Sequence, residues 1–206
     1  MIMGRAGILL LAVLGLAGCA ATIPGNVYDS AGEPRALGVH VQVNFPEEGW
    51  KRGHGDDKNI LVEFTRRNEA SVEMLMLQVN AFDENEARFM LPVANAEPQE
   101  ARYVMWKRTI DSRPHTKLVF VADTVVPSGR PAAMIELVSL PSGSKDDVYL
   151  RMKMLYVYEK GRMVVLTCTA GSVMEKKAGV DVLMENMMTP VCQPYFDSLR
   201  FVDITP

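Results

Sequence analysis

Cysteine, histidine and tryptophan are scarce in this 206-residue chain: there are 3 Cys, 3 His and 2 Trp. Three cysteines are too few for a small scaffold framed by disulfides. The three histidines, His40, His54 and His115, are far apart, and no His-Glu-x-x-His pair is present. A Gly-x-Ser-x-Gly elbow, a Gly-x-Gly-x-x-Gly turn and a phosphate loop are also missing, so no nucleophile or nucleotide motif stands out. Excess basic charge is lacking too. Lys and Arg total 22 against 25 Asp and Glu, a net charge of −3, which argues against nucleic acid as a partner. With 48% hydrophobic residues and no low-complexity segment, the composition suits one folded domain rather than a disordered chain or two domains.

The apolar content is uneven. Arg5 is followed by an unbroken apolar stretch from Ala6 to Ala17. At about 1.5 Å per helical residue this stretch is too short for a hydrocarbon core of about 30 Å, and it reads as a signal peptide rather than a resident membrane helix. It ends in Leu16-Ala17-Gly18-Cys19, which resembles the bacterial lipobox. That resemblance implies cleavage before Cys19 and a diacylglyceryl thioether on its sulfur. A second or third acyl chain then makes the anchoring stable, at about 0.8 kcal/mol per buried methylene. The alternative is an ordinary secretory peptide that happens to end in Cys. Ala20, standing where an aspartate would resemble an inner-membrane retention signal, favours the outer membrane. Loss of residues 1–18 removes Arg5 alone among the charges, so 21 basic and 25 acidic residues give the mature chain a net charge of −4.

The expected organisation is therefore a signal peptide at 1–18, the lipidated Cys19 with a tether at 19–37, and one domain at 38–206. With Cys19 taken by lipid, Cys168 and Cys192 remain, an even pair in an oxidising compartment, and a disulfide between them is expected. Two buried thiols or a metal pair are the other readings.

Period-2 alternation marks strands. Val39, Val41, Val43 and Phe45 share one face, as do Ile60, Val62 and Phe64. At 71–82, Leu75, Leu77 and Val79 oppose Met74 and Met76. Strands at 116–126 and 132–140 flank the turn Pro127–Arg130. A long strand places Val148, Leu150, Met152, Met154, Tyr156 and Tyr158 on one face, and a turn at Glu159–Arg162 leads to a strand through Cys168. Short connections require antiparallel neighbours. Pro98 and Glu100 open a helix to Ile110, with Ala101, Val104 and Met105 as its inner stripe. Ser172 to Glu175 fits a capping box, and Thr189-Pro190 fits a further N-cap. The class is α+β: an antiparallel meander packed with helices.

Phe45-Pro46 with Gly49-Trp50, then Tyr158-Glu159-Lys160-Gly161-Arg162 leading to Val165-Leu166-Thr167-Cys168-Thr169, and last Phe196-Asp197-Ser198-Leu199-Arg200-Phe201, resemble the motifs of PsbP-like and Mog1-like domains. The resemblance implies a three-layer α-β-α sandwich. It brings no shared catalytic residue, and the segment 83–115 is longer than the family pattern.

The remaining polar constellations have plain readings. His54, Asp56 and Asp57 form a solvated loop, Ser142 to Lys145 a hairpin turn, and His40 and His115 surface imidazoles. Asp123 and Glu136 are outward salt-bridge partners for Arg151 or Lys153. The methionines fill core or offer an adaptable surface. No cofactor and no metal are expected. The functional expectation is a non-catalytic, lipid-anchored envelope protein facing the periplasm, bound to the membrane by Cys19 and to another envelope protein. Its partner surface draws on Tyr156, Tyr158, Met152, Met154 and Trp50. The alternative is a small apolar ligand held among the same Tyr and Met residues.

Overall fold

The alternating segments pair into two antiparallel sheets in a computed structural model that describes residues 26–53, 57–67, 69, 71–140, 149–172 and 177–202. The signal segment, Cys19, His54, Asp56 and the turn Ser142–Lys145 lie outside the described residues. In chain order the strands are β1 (Asn26–Asp29), β2 (Val41–Phe45), β3 (Lys51–Gly53), β4 (Ile60–Arg67), β5 (Ser71–Ala81), β6 (Thr116–Val125), β7 (Pro131–Ser139), β8 (Tyr149–Glu159), β9 (Arg162–Ser172) and β10 (Arg200–Phe201). The helices are α1 (Glu84–Met90), α2 (Gln99–Asp111), α3 (Lys177–Met187) and α4 (Gln193–Asp197).

The large sheet has the order β3-β4-β5-β9-β8-β7-β6, and a small sheet has the order β1-β2-β10. One face of the large sheet buries Leu75, Leu77, Val79, Leu155, Val164 and Leu166 beneath the small sheet, α3 and α4. Phe45 of β2 stacks on Phe64 of β4 at 4.2 Å, and the Tyr195 hydroxyl donates to the Met76 carbonyl at 2.7 Å. The other face buries Ala133, Ile135, Leu137, Tyr156 and Val165 with Leu91, Trp106 and Ile110 from the α1–α2 region. The architecture is the expected α+β sandwich, with helices on both sides of an antiparallel sheet. Cys168 of β9 is joined to Cys192 in a disulfide, Cα to Cα 5.8 Å, which ties the C-terminal helical segment to the sheet.

Several expectations are corrected. Residues 26–37, read as tether, belong to the domain. Although this segment has few large apolar residues, β1 pairs with β2 along its whole length, and Tyr28 and Ala36 are buried. The Ser30 hydroxyl donates to the Val39 carbonyl at 3.1 Å, and Arg35 reaches the Ile60 carbonyl at 2.7 Å. Main-chain pairing and these two side chains replace the missing apolar bulk.

In α2 the inner stripe is Arg102, Trp106 and Ile110, while Val104 is 61% exposed. Arg102 bonds the Glu97 carbonyl and pairs with Asp123, and the Trp106 indole donates to the Met90 carbonyl at 2.7 Å. Polar anchors thus set the helix rotation that apolar residues alone suggested differently. Asp83 caps α1 by accepting from Asn85 and Glu86.

Ser172 is the last residue of β9, paired with both Ser71 and Tyr149, and residues 173–176 of the expected capping box lie outside the described residues. Thr189 and Pro190 start no new helix, because a π-helical turn, Met188–Cys192, carries the chain from α3 into α4. Asp123 and Glu136 lie on opposite faces. Asp123 sits across from Ala133 beside Arg102, whereas Glu136 is 1% exposed on the other side. There Glu136 is held by Arg151 and by Lys153 at 3.3 Å, and Arg151 also reaches Asp181 of α3 at 3.0 Å. Burial opposes the Arg151 charge, but the Glu136 and Asp181 carboxylates outweigh it and hold its pKa above the ordinary arginine value.

Candidate functional site

The register across β4, β5, β9 and β8 assembles a surface from residues distant in sequence. On the face away from α3, Thr167 of β9 has Met76 of β5 on one side and Met154 of β8 on the other. One row along, Thr169 lies between Met74 and Met152. Glu63 and Thr65 of β4 border these rows. The α2 helix packs chiefly on β6, at the far side of the sheet, with α1 against α2. Met74 and Met76 are half-buried and belong to neither apolar core. This part of the sheet face is formed by flexible, polarisable side chains that repack readily around an apolar contact.

Thr167 and Thr169 are both 2% exposed, and among the described residues neither hydroxyl has a hydrogen-bond partner. A buried unpaired hydroxyl costs about 1–3 kcal/mol, so two in adjacent rows call for a cause. Methyl packing between neighbouring strands suits threonine's β-branched shape.

Of the five residues expected at a partner surface, four come together. Met152, Met154, Tyr156 and Tyr158 share this face. Tyr156 is buried against Trp106, ring centres 4.9 Å apart, and its hydroxyl donates to the Met154 sulfur at 3.3 Å. Burial pushes its phenol up to about 12. Tyr156 is therefore the inner wall of the surface rather than a contact residue. Trp50 lies elsewhere: it is buried in the opposite core, with the Arg66 guanidinium 5.1 Å from its ring centre. Met74 and Met76 were visible as an alternating pair, but nothing in the sequence placed them beside Thr167 and Thr169.

Clefts of about 140, 730 and 550 Å³ are among those that open between the described residues. None of the three is lined by Met152, Met154 or Tyr156, and Tyr158 borders only the second, so an apolar pocket among these Tyr and Met residues finds no support in them. The first cleft lies where the β8–β9 turn meets the end of the small sheet, among His40, Arg130, Glu159, Lys160 and Arg162.

No family model and no curated protein matches the sequence. Among solved structures the chain is similar to LpqN of Mycobacterium tuberculosis, described as involved in cell envelope biogenesis. The identity is 10% over 89% of this chain and 88% of that one, with a TM-score of 0.45. It is also similar to the Ran-binding protein Mog1p of Saccharomyces cerevisiae, at 10% identity over 87% of this chain and 97% of that one, with a TM-score of 0.47. A second Mog1 structure gives 0.49. These are likenesses of fold and carry no implication for activity or partners.

Proposed function

We propose that this is a lipid-anchored protein of the bacterial cell envelope that holds another envelope protein against its open methionine face and performs no chemistry of its own. The observation that carries the reading is the pair of buried hydroxyls, Thr167 and Thr169, without a hydrogen-bond partner among the described residues, beside Met74 and Met76, which belong to neither apolar core; Met152 and Met154, on the other side of the threonines, pack against the core that holds Trp106. Such a face gives an apolar partner area and adaptable side chains, with polar residues such as Glu63 and Thr65 at its rim. The lipobox-like Leu16–Cys19 supports the anchor. With β1 starting at Asn26, residues 19–25 span at most roughly 25 Å when fully extended, so the domain works close to its membrane.

A photoreactive residue placed at position 76 in cells tests this reading. The expected result is one discrete adduct with an envelope protein, absent when the reporter stands at Val182 on the other side of the sheet. Cys19→Ser is expected to move the protein out of the membrane fraction and to reduce the adduct. Equal crosslinking from both positions, or unchanged membrane retention of Cys19→Ser, contradicts the proposal.

A further inference from the structure

The two threonines whose hydroxyls lack a partner stand beside thioethers. Thr167 lies between Met76 and Met154, and Thr169 between Met74 and Met152, each directly opposite across the ladder. Directly opposed residues have Cβ atoms about 4.5–5.5 Å apart, which is within the reach of a methionine side chain. Both threonines are 2% exposed, and neither hydroxyl has a hydrogen-bond partner among the described residues. A thioether sulfur is a weak acceptor, so its presence nearby leaves a hydroxyl donor unused.

The four methionines are not equivalent. Met152 and Met154 pack against the core that holds Trp106, and the Met154 sulfur already accepts from the Tyr156 hydroxyl at 3.3 Å. Met74 and Met76 are half-buried and belong to neither core, so part of each side chain meets solvent and any small oxidant in it. Oxidation converts the apolar thioether into a polar sulfoxide. With hydrogen peroxide, the sulfur lone pair takes one peroxide oxygen, the O–O bond breaks, an S–O bond forms and water leaves. Sulfur loses two electrons and the peroxide gains them. The new oxygen is a far better acceptor than the sulfur was, and in a half-buried setting it costs stability unless a donor meets it. For Met76 that donor is the Thr167 hydroxyl on the next strand, and for Met74 it is the Thr169 hydroxyl.

We infer that Met74 and Met76 form an oxidation site, in which the Thr169 and Thr167 hydroxyls donate to the sulfoxide oxygens and stabilise the oxidised face. The consequence for a partner rests on the proposed function: the face becomes more polar, both hydroxyls are engaged, and the hold on an apolar partner weakens.

The test is graded oxidation of the purified protein with hydrogen peroxide, followed by peptide mass spectrometry and urea unfolding. Met74 and Met76 are expected to oxidise before Met152 and Met154, and well before Met184 and Met187, which are 1% and 2% exposed. At equal conversion of positions 74 and 76, oxidation is expected to lower the folding equilibrium constant of Thr167→Val with Thr169→Val about tenfold more than that of the parent, the size of two modest hydrogen bonds. Thr167→Ser with Thr169→Ser keeps both hydroxyls and should follow the parent. In a Met74→Leu, Met76→Leu background the difference between threonine and valine should vanish. Equal losses for the threonine, serine and valine proteins, or oxidation of Met184 and Met187 as fast as that of Met74 and Met76, overturn the inference. Binding of the envelope protein captured from position 76 separates this site from the proposed function. No binding by the reduced protein contradicts that function and leaves the oxidation site to the unfolding result, whereas equal binding by reduced and oxidised protein overturns the consequence for the partner.

Discussion

Thr167 and Met76 face each other across β9 and β5, and the threonine hydroxyl beside that methionine is buried without a hydrogen-bond partner among the described residues. If the hydroxyl has no structural task, Thr167→Val keeps the shape and removes the unpaired group. The expected change is from neutral to about 1 kcal/mol of added stability by urea unfolding. At the same time the adduct formed from position 76 should weaken, because the hydroxyl is then no longer available to the partner. Marked destabilisation by Thr167→Val would show that the hydroxyl is satisfied inside the fold.

The Cys168–Cys192 bridge closes a loop between positions 24 residues apart. Cys168→Ser with Cys192→Ser is expected to cost roughly 3 kcal/mol through the larger conformational freedom of the unfolded chain. Thermal or urea unfolding measures this. Because the two sulfurs are bonded to each other, thiol labelling of the denatured, unreduced protein should find neither of them reactive.

Glu136 depends on Arg151 and Lys153 for its charge at a position that is almost wholly buried. Arg151→Met leaves Glu136 with Lys153 alone and frees Asp181 from its partner. A loss of about 3 kcal/mol is expected. The double variant Arg151→Met with Glu136→Leu should recover a substantial part of it, since the stranded charge is then gone. A double variant as unstable as the single one would show that packing, not the ion pair, sets the cost.

Alkaline stability follows from the tyrosines. In the unfolded chain a tyrosine ionises near pH 10, whereas burial pushes Tyr156 up to about 12 and Tyr195 well above its ordinary value. The folded state keeps protons that the unfolded state releases, so the stabilisation is intact below about pH 10 and is lost as the pH rises towards 12. Tyr156 alone accounts for on the order of 2 kcal/mol of that loss. Urea midpoints measured from pH 9 to 12 should fall over this window, with a smaller drop in Tyr156→Phe. Identical pH profiles for the two proteins would contradict the assignment.

Local signals in the sequence were reliable where a short connection joined the elements they marked. The turns at Pro127–Arg130 and Glu159–Arg162 dictated the antiparallel order β6-β7 and β8-β9, and Pro98 with Glu100 marked the start of α2. Long-range pairing was not legible. β5 meets β9 about ninety residues later, and this register alone puts Met76 beside Thr167. The same holds for β10 on β2 and for Arg162 reaching Leu37, so neither the methionine face nor the cleft at the β8–β9 turn could be assembled from neighbours in the chain. Ala101 shows the other limit. An apolar stripe was present, but the Arg102–Asp123 pair decided the outcome.

The central claim is that a partner binds the open face of β5, β9 and β8. Its most direct test is the methyl spectrum of the protein with 13C-labelled methionine, recorded with and without the envelope protein captured from position 76. The expected result is displacement of the Met74, Met76, Met152 and Met154 signals, with Met184 and Met187, buried on the other side of the sheet, unchanged. Displacement of Met184 and Met187 while Met74 and Met76 stay fixed, or no displacement at all, would contradict it.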